Sequence, residues 1–282
     1  MIDLHTHPFM IKELVDKDIS LAYNIKEIFG FYFPPQPIQV FLFELDAAGV
    51  DRAVLLPIDC TTAHGCKIVS NIQVAELVKK YPCFIGFASV DPKTKNATKK
   101  LEKDIKQLGL SGLKLDPALQ QFEINDKNLA YPIYQTCQAL DIPVMIHCGL
   151  SWSPKGLSKY AHPLEIEEVA QTFPTLKIII PHFGWPWYQE AVMLAMKFQN
   201  IYLDTSIIFS GTPKEVLQHV LGDLIGISLL ERNLHFQLLF GSNYPRVDIR
   251  RSIRGINALP MSVSLKEHIF FRNAEKLLKL EK

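Results

Sequence analysis

The sequence predicts an α/β protein built as a single (β/α)8 TIM barrel, and three observations carry this prediction. Eight short apolar segments rich in β-branched residues recur along the chain. These segments are continuously apolar rather than alternating, as in a parallel sheet that is buried on both faces. Almost every gap between them has the apolar spacing of a helix, and 282 residues is a normal length for such a barrel. An open doubly wound sheet is disfavoured because no Gly-x-Gly-x-x-Gly follows any of the strands.

The predicted elements alternate in order along one domain, residues 1–282. The predicted strands are 1–5, 53–58, 84–90, 112–115, 143–147, 177–180, 201–204 and 237–241. The predicted helices include 38–48, 68–80, 97–108, 129–140 and 164–173. Several helices end on a stop signal just before the next strand, such as Gly109 after Leu108 and Pro174 after Phe173.

The connection between the first two strands is far longer than the few residues that are usual in such folds. Residues 8–37, called the insertion below, contain an aromatic, proline-stiffened run from Phe29 to Pro35. Long loops in compact domains are usually binding loops or lids. We therefore expect the insertion either to cover the barrel mouth or to pack on the outer helices, and the sequence favours neither interpretation.

Composition and charge indicate a globular protein that acts on small molecules. The chain is 48% hydrophobic and 21% charged, with 30 Lys+Arg against 29 Asp+Glu. This balance predicts no electrostatic attraction to nucleic acid or to an acidic membrane surface. The sequence shows no signal peptide, no apolar stretch of the roughly 18 residues that a membrane span needs and no Cys-x-x-Cys. We expect a cytoplasmic protein with a small-molecule substrate, either as a monomer or as a homodimer.

Four of the nine histidines lie at the carboxyl ends of predicted strands. His5 and His7 leave the first strand, His147 ends the fifth and His182 ends the sixth. The carboxyl ends of barrel strands meet at one mouth, where active sites lie. Alternation along a strand puts His5 and His7 on the same side, so that both can reach one ion. Because neutral imidazole suits zinc and other first-row metals, the pattern predicts one divalent metal ion, with zinc ahead of manganese.

Seven motifs relate the chain to a known family. They are Asp3 to His7, Gly112 to Pro117, Ile146 to Gly149, Pro174 to Gly184, Tyr202 to Ser206, Phe240 to Pro245 and Arg272 to Leu278. Across essentially its whole length the sequence resembles the amidohydrolase superfamily. The likeness is to the amidohydrolase-related branch, which includes aminocarboxymuconate-semialdehyde decarboxylase, aromatic-acid decarboxylases, hydratases and lactonases. Each motif alone is weak, but their shared order makes the resemblance specific.

The resemblance implies roles for the histidines. His5, His7 and His147 would be ligands of the metal, and His182 would polarise the substrate or move a proton. Asn243 stands where relatives carry a metal-binding aspartate that takes a proton from the bound water. A neutral asparagine can offer a carbonyl oxygen to a metal, but it cannot act as a base. The resemblance therefore implies an altered site.

Other residues near the strand ends are candidates for substrate binding or proton transfer. We expect Lys114, at the end of the fourth strand, to bind a substrate carboxylate. The alternatives are packing at the rim and, as in binuclear relatives, carboxylation to bridge two metals. Asp116, where relatives often carry histidine, and Trp152, after the fifth strand, are further substrate-binding candidates, although Trp152 could instead pack on the barrel. The candidates for the missing proton acceptor are His182 first, and then Asp204, Asp248 and Asp116.

These residues predict, first, a metal-dependent hydrolase of a small carboxylate-bearing substrate such as a lactone or an amide. The alternative is a metal-dependent non-oxidative decarboxylase, or a hydratase, of a small aromatic or unsaturated carboxylic acid. Relatives divide among these reactions with similar metal ligands, so the ligands alone do not decide between them. A second alternative, motivated by Asn243, is a barrel that binds a ligand without catalysis.

Overall fold

The structure, a computed structural model, describes residues 1–206 and 211–280. These residues form ten β-strands. In chain order they are β1 (Ile2–Thr6), β2 (Arg52–Leu55), β3 (Ile58–Cys60), β4 (Cys66–Ile68), β5 (Phe84–Gly86), β6 (Leu113–Leu115), β7 (Val144–Ile146), β8 (Ile178–Ile180), β9 (Ile201–Asp204) and β10 (Leu238–Leu239). Eight of them belong to the barrel, whereas β3 and β4 form a separate antiparallel hairpin.

The eight barrel strands are parallel and run in the order β1-β2-β5 and β6-β7-β8-β9-β10. Backbone hydrogen bonds join the two groups at both seams. At one seam Lys114 N–H donates to the Ala88 carbonyl at 2.7 Å, just beyond β5. At the other, Leu4 N–H donates to the Phe240 carbonyl and Asn243 N–H donates to the His5 carbonyl, both at 2.8 Å. The predicted (β/α)8 barrel is confirmed.

The outer layer is helical, and its longer helices follow the barrel strands. The helices are α1 (Lys12–Val15), α2 (Ile19–Phe29), α3 (Ile38–Ala48), α4 (Thr61–His64), α5 (Asn71–Lys80), α6 (Ala97–Leu108), α7 (Pro117–Gln120), α8 (Tyr131–Ala139), α9 (Glu165–Thr172), α10 (Tyr188–Lys197), α11 (Pro213–Leu217), α12 (Ile227–Asn233), α13 (Ile249–Ala258), α14 (Val263–Glu267) and α15 (Asn273–Leu278). Short 3-10 turns lie at Ser158–Tyr160 and Pro181–Gly184, and π-helical turns at Gln218–Ile225 and His268–Arg272. Within the described part of the chain, no helix has the length and apolar character that a membrane crossing requires.

The interior of the barrel is filled by apolar side chains below the mouth. One buried cluster contains Leu4, Val54, Phe87, Met145 and Ile179. Ile146, the next residue along β7, belongs to a larger cluster that the strands share with the outer helices. Because side chains alternate along a strand, His147 lies on the same side of β7 as Met145. The apolar filling therefore forms the floor on which the polar residues of the mouth stand.

Three predicted boundaries need correction, and the largest change is in the strand predicted over 84–90, which ends at Gly86. The predicted strand 53–58 ends at Leu55, and Ile58 instead begins the hairpin of β3 and β4. Pro57 lies at the break, and it has no N–H with which to continue a strand ladder. The predicted helix 68–80 begins at Asn71, because Ser70 caps it. The Ser70 side chain accepts the Gln73 N–H, and the Gln73 side chain accepts the Ser70 N–H.

The insertion is joined to itself at its base. Lys12 N–H donates to the Gln36 carbonyl, and Gln36 N–H donates to the Met10 carbonyl, both at 2.8 Å. A carboxylate oxygen of Glu13 accepts the Ile38 N–H at 3.0 Å, at the start of α3. The two ends of the insertion therefore lie side by side, and α1 and α2 form between them.

Candidate metal centre and its pocket

His5 and His7 direct two unprotonated nitrogens at each other. His5 Nδ1 lies 2.8 Å from Asp204 Oδ2, and His7 Nδ1 lies 3.1 Å from the Leu56 carbonyl oxygen. Both partners are acceptors, so each Nδ1 carries the proton and each Nε2 keeps its lone pair. The two Nε2 atoms are only 3.1 Å apart. Two lone pairs at this distance repel each other unless a cation lies between them, which is the arrangement that a metal site provides.

His182 is oriented in the same way by its neighbours. It lies in the 3-10 turn after β8, and its backbone N–H donates to Asp204 Oδ1 at 2.9 Å. Its Nδ1 lies 2.8 Å from the Ser206 carbonyl oxygen, so this nitrogen is the donor. The Ser206 hydroxyl donates to Asp204 and has no second proton for the ring. His182 therefore presents an unprotonated Nε2, and its ring centroid is 4.8 Å from that of His5.

His147 completes the group of four imidazoles. Its side chain hydrogen-bonds to the Leu150 backbone, and its Nε2 is buried without a hydrogen-bond partner among the described residues. The His147 and His182 ring centroids are 5.2 Å apart. An orphaned buried nitrogen beside other unprotonated imidazoles fits a divalent first-row metal, since each ring offers the form that binds a metal.

Burial keeps these rings neutral. It lowers the pKa of His5, His7 and His182 well below the usual value and that of His147 to about 3. The positive charge of Lys114 lowers the pKa of His5, His7 and His147 further. At neutral pH a metal therefore does not have to displace protons from these nitrogens.

Asp204 accepts most of the hydrogen bonds that lie beneath the histidines. His5, His182 and Asp204 offer ligand atoms that all lie within 4.8 Å of one another, so they too could surround an ion. Both carboxylate oxygens are already engaged. Oδ2 accepts from His5 Nδ1, while Oδ1 accepts from the backbone N–H groups of His182 and Ser206 and from the Ser206 hydroxyl. A carboxylate engaged in this way orients the histidines and is a poor candidate for the missing base.

Gly241 allows this close arrangement. A Cβ atom at this position would lie 2.8 Å from the His5 Cβ and 3.3 Å from the Asp204 Cγ. Any other residue would therefore force the ring and the carboxylate that holds it to move. The glycine of the motif Phe240 to Pro245 is required by packing around His5.

We expect Asp204→Asn to weaken metal binding by about 10- to 100-fold, the usual effect of losing a carboxylate that orients a metal-binding histidine. An amide carries no charge and does not enforce the protonated Nδ1 of His5. Equilibrium titration of metal-free protein with zinc or manganese measures the change. Asp248→Asn is the matched control, because Asp248 caps α13 and asparagine caps helices equally well. Unchanged affinity in the Asp204→Asn protein would refute this role.

Three of the four histidines, His7, His147 and His182, line a pocket with an empty volume of about 450 Å3, which includes open solvent at its mouth. The residues that the sequence predicted as site residues and that line this pocket are His7, Lys114, Asp116, His147, Trp152, His182 and Asn243. His5 lies beneath the pocket and is fully buried, while Asp248 does not line it. Residues that the sequence did not single out line it as well, namely Phe9, Phe29, Phe31, Ile58, Ser151, Pro245 and Arg246.

Lys114 is a buried cation without a hydrogen-bond partner. Its side chain is 1% exposed, and its Nζ has no partner in the described part of the protein. Burial lowers its pKa, while the charges of Asp116 and Asp204 raise it. Burial also raises the pKa of Asp116, whose Oδ1 caps the short helix α7 by accepting the Leu119 N–H at 3.1 Å. An unpaired ammonium group in a pocket favours an anionic ligand, because a buried charge is costly without a partner.

The aromatic residues of the insertion lie over the barrel mouth. Phe9 stacks on His7 with ring centroids 4.5 Å apart, and Phe29 stacks on Phe9 at 5.0 Å. Phe31 follows at the rim, where the Arg246 guanidinium carbon lies 4.8 Å from its ring centroid. The insertion therefore contributes one wall of the pocket. Of the two interpretations of the insertion, this position agrees with a covering segment.

Asn243 lies in the pocket wall in a left-handed backbone conformation, with φ 62°. Asparagine tolerates this conformation better than most residues. Its side chain amide is neutral and cannot take a proton from water. Since Asp204 is engaged and Asp248 lies outside the pocket lining, the predicted acceptors that face the pocket are His182 and Asp116.

An eight-stranded parallel barrel with neutral imidazoles and an unpaired cation at its mouth has the architecture of a TIM-barrel enzyme. The chain belongs to the amidohydrolase family, whose model matches residues 2–280. This confirms the resemblance drawn from the seven motifs.

Three relatives align with this chain, and the names of two of them state a reaction. Gamma-resorcylate decarboxylase of Polaromonas sp. is 24% identical over 295 aligned residues, covering 87% of this chain and 84% of the relative. 2-Keto-4-carboxy-3-hexenedioate hydratase of Sphingobium sp. is 30% identical over 154 residues, covering 48% of this chain and 42% of the hydratase. Protein fluG of Emericella nidulans is 22% identical over 167 residues, covering 52% of this chain and 18% of fluG. The chain thus spans less than half the length of two of these relatives.

Solved structures share the whole fold. An uncharacterised TIM-barrel protein from Bordetella bronchiseptica has a TM-score of 0.78 and 26% identity, covering 99% of this chain and 98% of that protein. 5-Carboxyvanillate decarboxylase of Novosphingobium aromaticivorans has a TM-score of 0.64 and 18% identity, covering 99% of this chain and 97% of the decarboxylase. It was solved as an aspartate-to-asparagine mutant with bound manganese and 3-methoxy-4-hydroxy-5-nitrobenzoic acid.

Proposed function

We propose that this protein is a metal-dependent decarboxylase that removes carbon dioxide, without oxidation, from a small aromatic or unsaturated carboxylic acid. Asn243 in the pocket wall carries this proposal. Hydrolysis needs a base beside the metal-bound water, and because Asn243 cannot supply one, His182 or Asp116 would have to take that role. Decarboxylation needs no such base, because it replaces a carboxylate by a proton. A decarboxylase that aligns with 87% of the chain supports the same choice.

We assign the metal to His5, His7 and His147, with zinc ahead of manganese as the ion. The facing Nε2 atoms of His5 and His7 and the orphaned Nε2 of His147 support this assignment. A bound divalent ion would supply positive charge that orients the acid and stabilises negative charge developing on its oxygens. Compared with relatives that carry an aspartate at this position, Asn243 would leave one negative charge fewer near the ion.

The remaining steps belong to side chains of the pocket. Lys114 holds the substrate carboxylate as an ammonium charge. His182, neutral and with a free Nε2, takes a proton from solvent water and delivers it to the carbon that loses carbon dioxide, and the hydroxide left behind combines with the carbon dioxide as bicarbonate. The carbon–carbon bond breaks, its electron pair passes to that carbon, and the proton completes the new C–H bond. The aromatic residues of the insertion keep water from the pocket, which strengthens each charge interaction there.

The hydratase of Sphingobium supports a second candidate, addition of water to an unsaturated acid. This hydratase aligns with only about half of the present chain. Addition of water also needs a base, and His182 would have to be that base. The hydrolase that the sequence placed first gains no support from the relatives described above. It remains a prediction with the weakest chemical basis, because of Asn243.

A substrate panel in heavy water tests the proposed reaction. We expect zinc- or manganese-loaded protein to release carbon dioxide from at least one small aromatic or unsaturated acid, and the product to carry one deuterium at the carbon that lost the carboxylate. Protein stripped of metal by a chelator is the control and should be inactive. Ring opening of lactones or addition of water without release of carbon dioxide would overturn the proposal.

A further inference from the structure

Arg246 is a second cation in the pocket without a carboxylate partner. It follows the motif Phe240 to Pro245 and lines the same pocket as His7, His147 and His182. Arg250, four residues further along the chain, forms ion pairs with Glu44 and Asp248. By contrast, no carboxylate of the described residues lies within ion-pair distance of Arg246. Burial lowers the pKa of Arg246 only to about 10, so it stays charged at neutral pH.

The contacts of Arg246 leave its hydrogen-bonding groups available. Its guanidinium carbon lies 4.8 Å from the ring centroid of Phe31 and 5.2 Å from that of Trp152. Cation–π contacts of this kind hold the guanidinium through the ring faces. Neither contact supplies an oxygen acceptor for its five N–H donors, whose geometry suits a carboxylate. The two rings therefore fix the position of Arg246 at the rim and leave its donor edges for another group.

Lys114 and Arg246 enter the pocket from opposite sides. Lys114 lies on β6, and Arg246 follows β10. In the barrel order β1-β2-β5-β6-β7-β8-β9-β10, four steps separate these two strands in either direction, so they face each other across the barrel. One cation is buried at the floor, and the other is half-buried at the rim beside the insertion. A small acid bound at Lys114 would leave Arg246 unpaired.

We propose that Arg246 forms a second anion subsite, so that the substrate is a planar unsaturated or aromatic acid with two carboxylates. One carboxylate lies at Lys114, beside the proposed metal ligands, and the other at Arg246. The body between them packs against the aromatic residues of the insertion. This inference rests on the proposed function only for the identity of the acid as substrate, because the anion subsite itself is a statement about binding.

Calorimetric binding of matched acids to the zinc-loaded protein tests the subsite. We expect isophthalate or terephthalate to bind about 10- to 100-fold more tightly than benzoate, the usual value of a charge-assisted hydrogen-bonded pair. Arg246→Met should remove this preference, because it should weaken the binding of the dicarboxylates far more than that of benzoate. Arg246→Lys keeps the charge, lacks the paired donors and should retain part of the preference. Arg250→Met is the control and should behave as the unmodified protein.

The outcomes separate this inference from the reaction proposed above. Equal affinity for the mono- and dicarboxylates, or an equal loss of both in Arg246→Met, would overturn the subsite and leave Arg246 as a packing residue of the insertion. If the preference for dicarboxylates depends on Arg246 but no acid releases carbon dioxide, the subsite stands and the proposed reaction falls. If only monocarboxylates release carbon dioxide, and they do so independently of Arg246, the proposed reaction stands and the subsite falls.

Discussion

His7→Ala is expected to abolish metal binding and to lower turnover at least about a thousandfold. A metal ion contributes several kcal/mol of charge stabilisation to its reaction, and each 1.4 kcal/mol corresponds to a factor of about ten in rate. His7 is one of the two imidazoles whose Nε2 atoms lie 3.1 Å apart, so its loss leaves His5 without the facing donor. Alanine also removes the ring on which Phe9 stacks, at a centroid distance of 4.5 Å.

Elemental analysis of dialysed protein, together with the rate of carbon dioxide release, measures this effect. His219→Ala is the matched control, because His219 is an exposed histidine outside the pocket lining. The control should keep both metal and activity. A His7→Ala protein with full metal content would show that the ion, if bound, lies elsewhere, and the assignment of His5, His7 and His147 would fail.

His182→Gln should give the second largest loss and leave the metal in place. We expect the turnover rate to fall by about 10²- to 10⁴-fold, the usual contribution of a group that transfers a proton. Glutamine keeps a polar side chain of similar reach but cannot accept and return a proton. Metal titration and the steady-state rate, measured on the same preparation, separate the two roles of this residue.

Ser206→Ala is the companion variant for His182. It removes the hydroxyl that donates to Asp204 but keeps the backbone carbonyl that accepts from His182 Nδ1. We therefore expect only a modest loss of rate. If His182→Gln instead loses the metal as completely as His7→Ala, His182 is a ligand. The group of His5, His182 and Asp204 would then be the better description of the metal site.

The barrel and the meeting of the four histidines could be predicted because both depend on strand order. A continuously apolar segment predicts a buried parallel strand, and a histidine at its carboxyl end must then lie at the common mouth. His147 and His182, 35 positions apart in sequence, come within 5.2 Å between ring centroids for this reason alone. No detail of the loops is needed for that inference.

The remaining site residues could not be predicted, because their contacts depend on how loops fold over the barrel. Nothing in the periodicity of the insertion indicates that Phe9 and Phe31 reach the pocket. Arg246 had a weak signal, since it directly follows the last residue of a recognised motif. From the sequence, Asp204 is only a candidate proton acceptor. Only its four hydrogen-bond donors show that it orients histidines instead.

The closed base of the insertion has an evolutionary consequence. Because backbone hydrogen bonds join Gln36 to both Lys12 and Met10, the chain enters and leaves the insertion at almost the same point. A module attached in this way can be lengthened, shortened or exchanged between homologues without disturbing the register of β1 and β2. Changes at Phe29 and Phe31 would then alter the pocket wall, while the histidines stay where the barrel strands and the turn after β8 hold them.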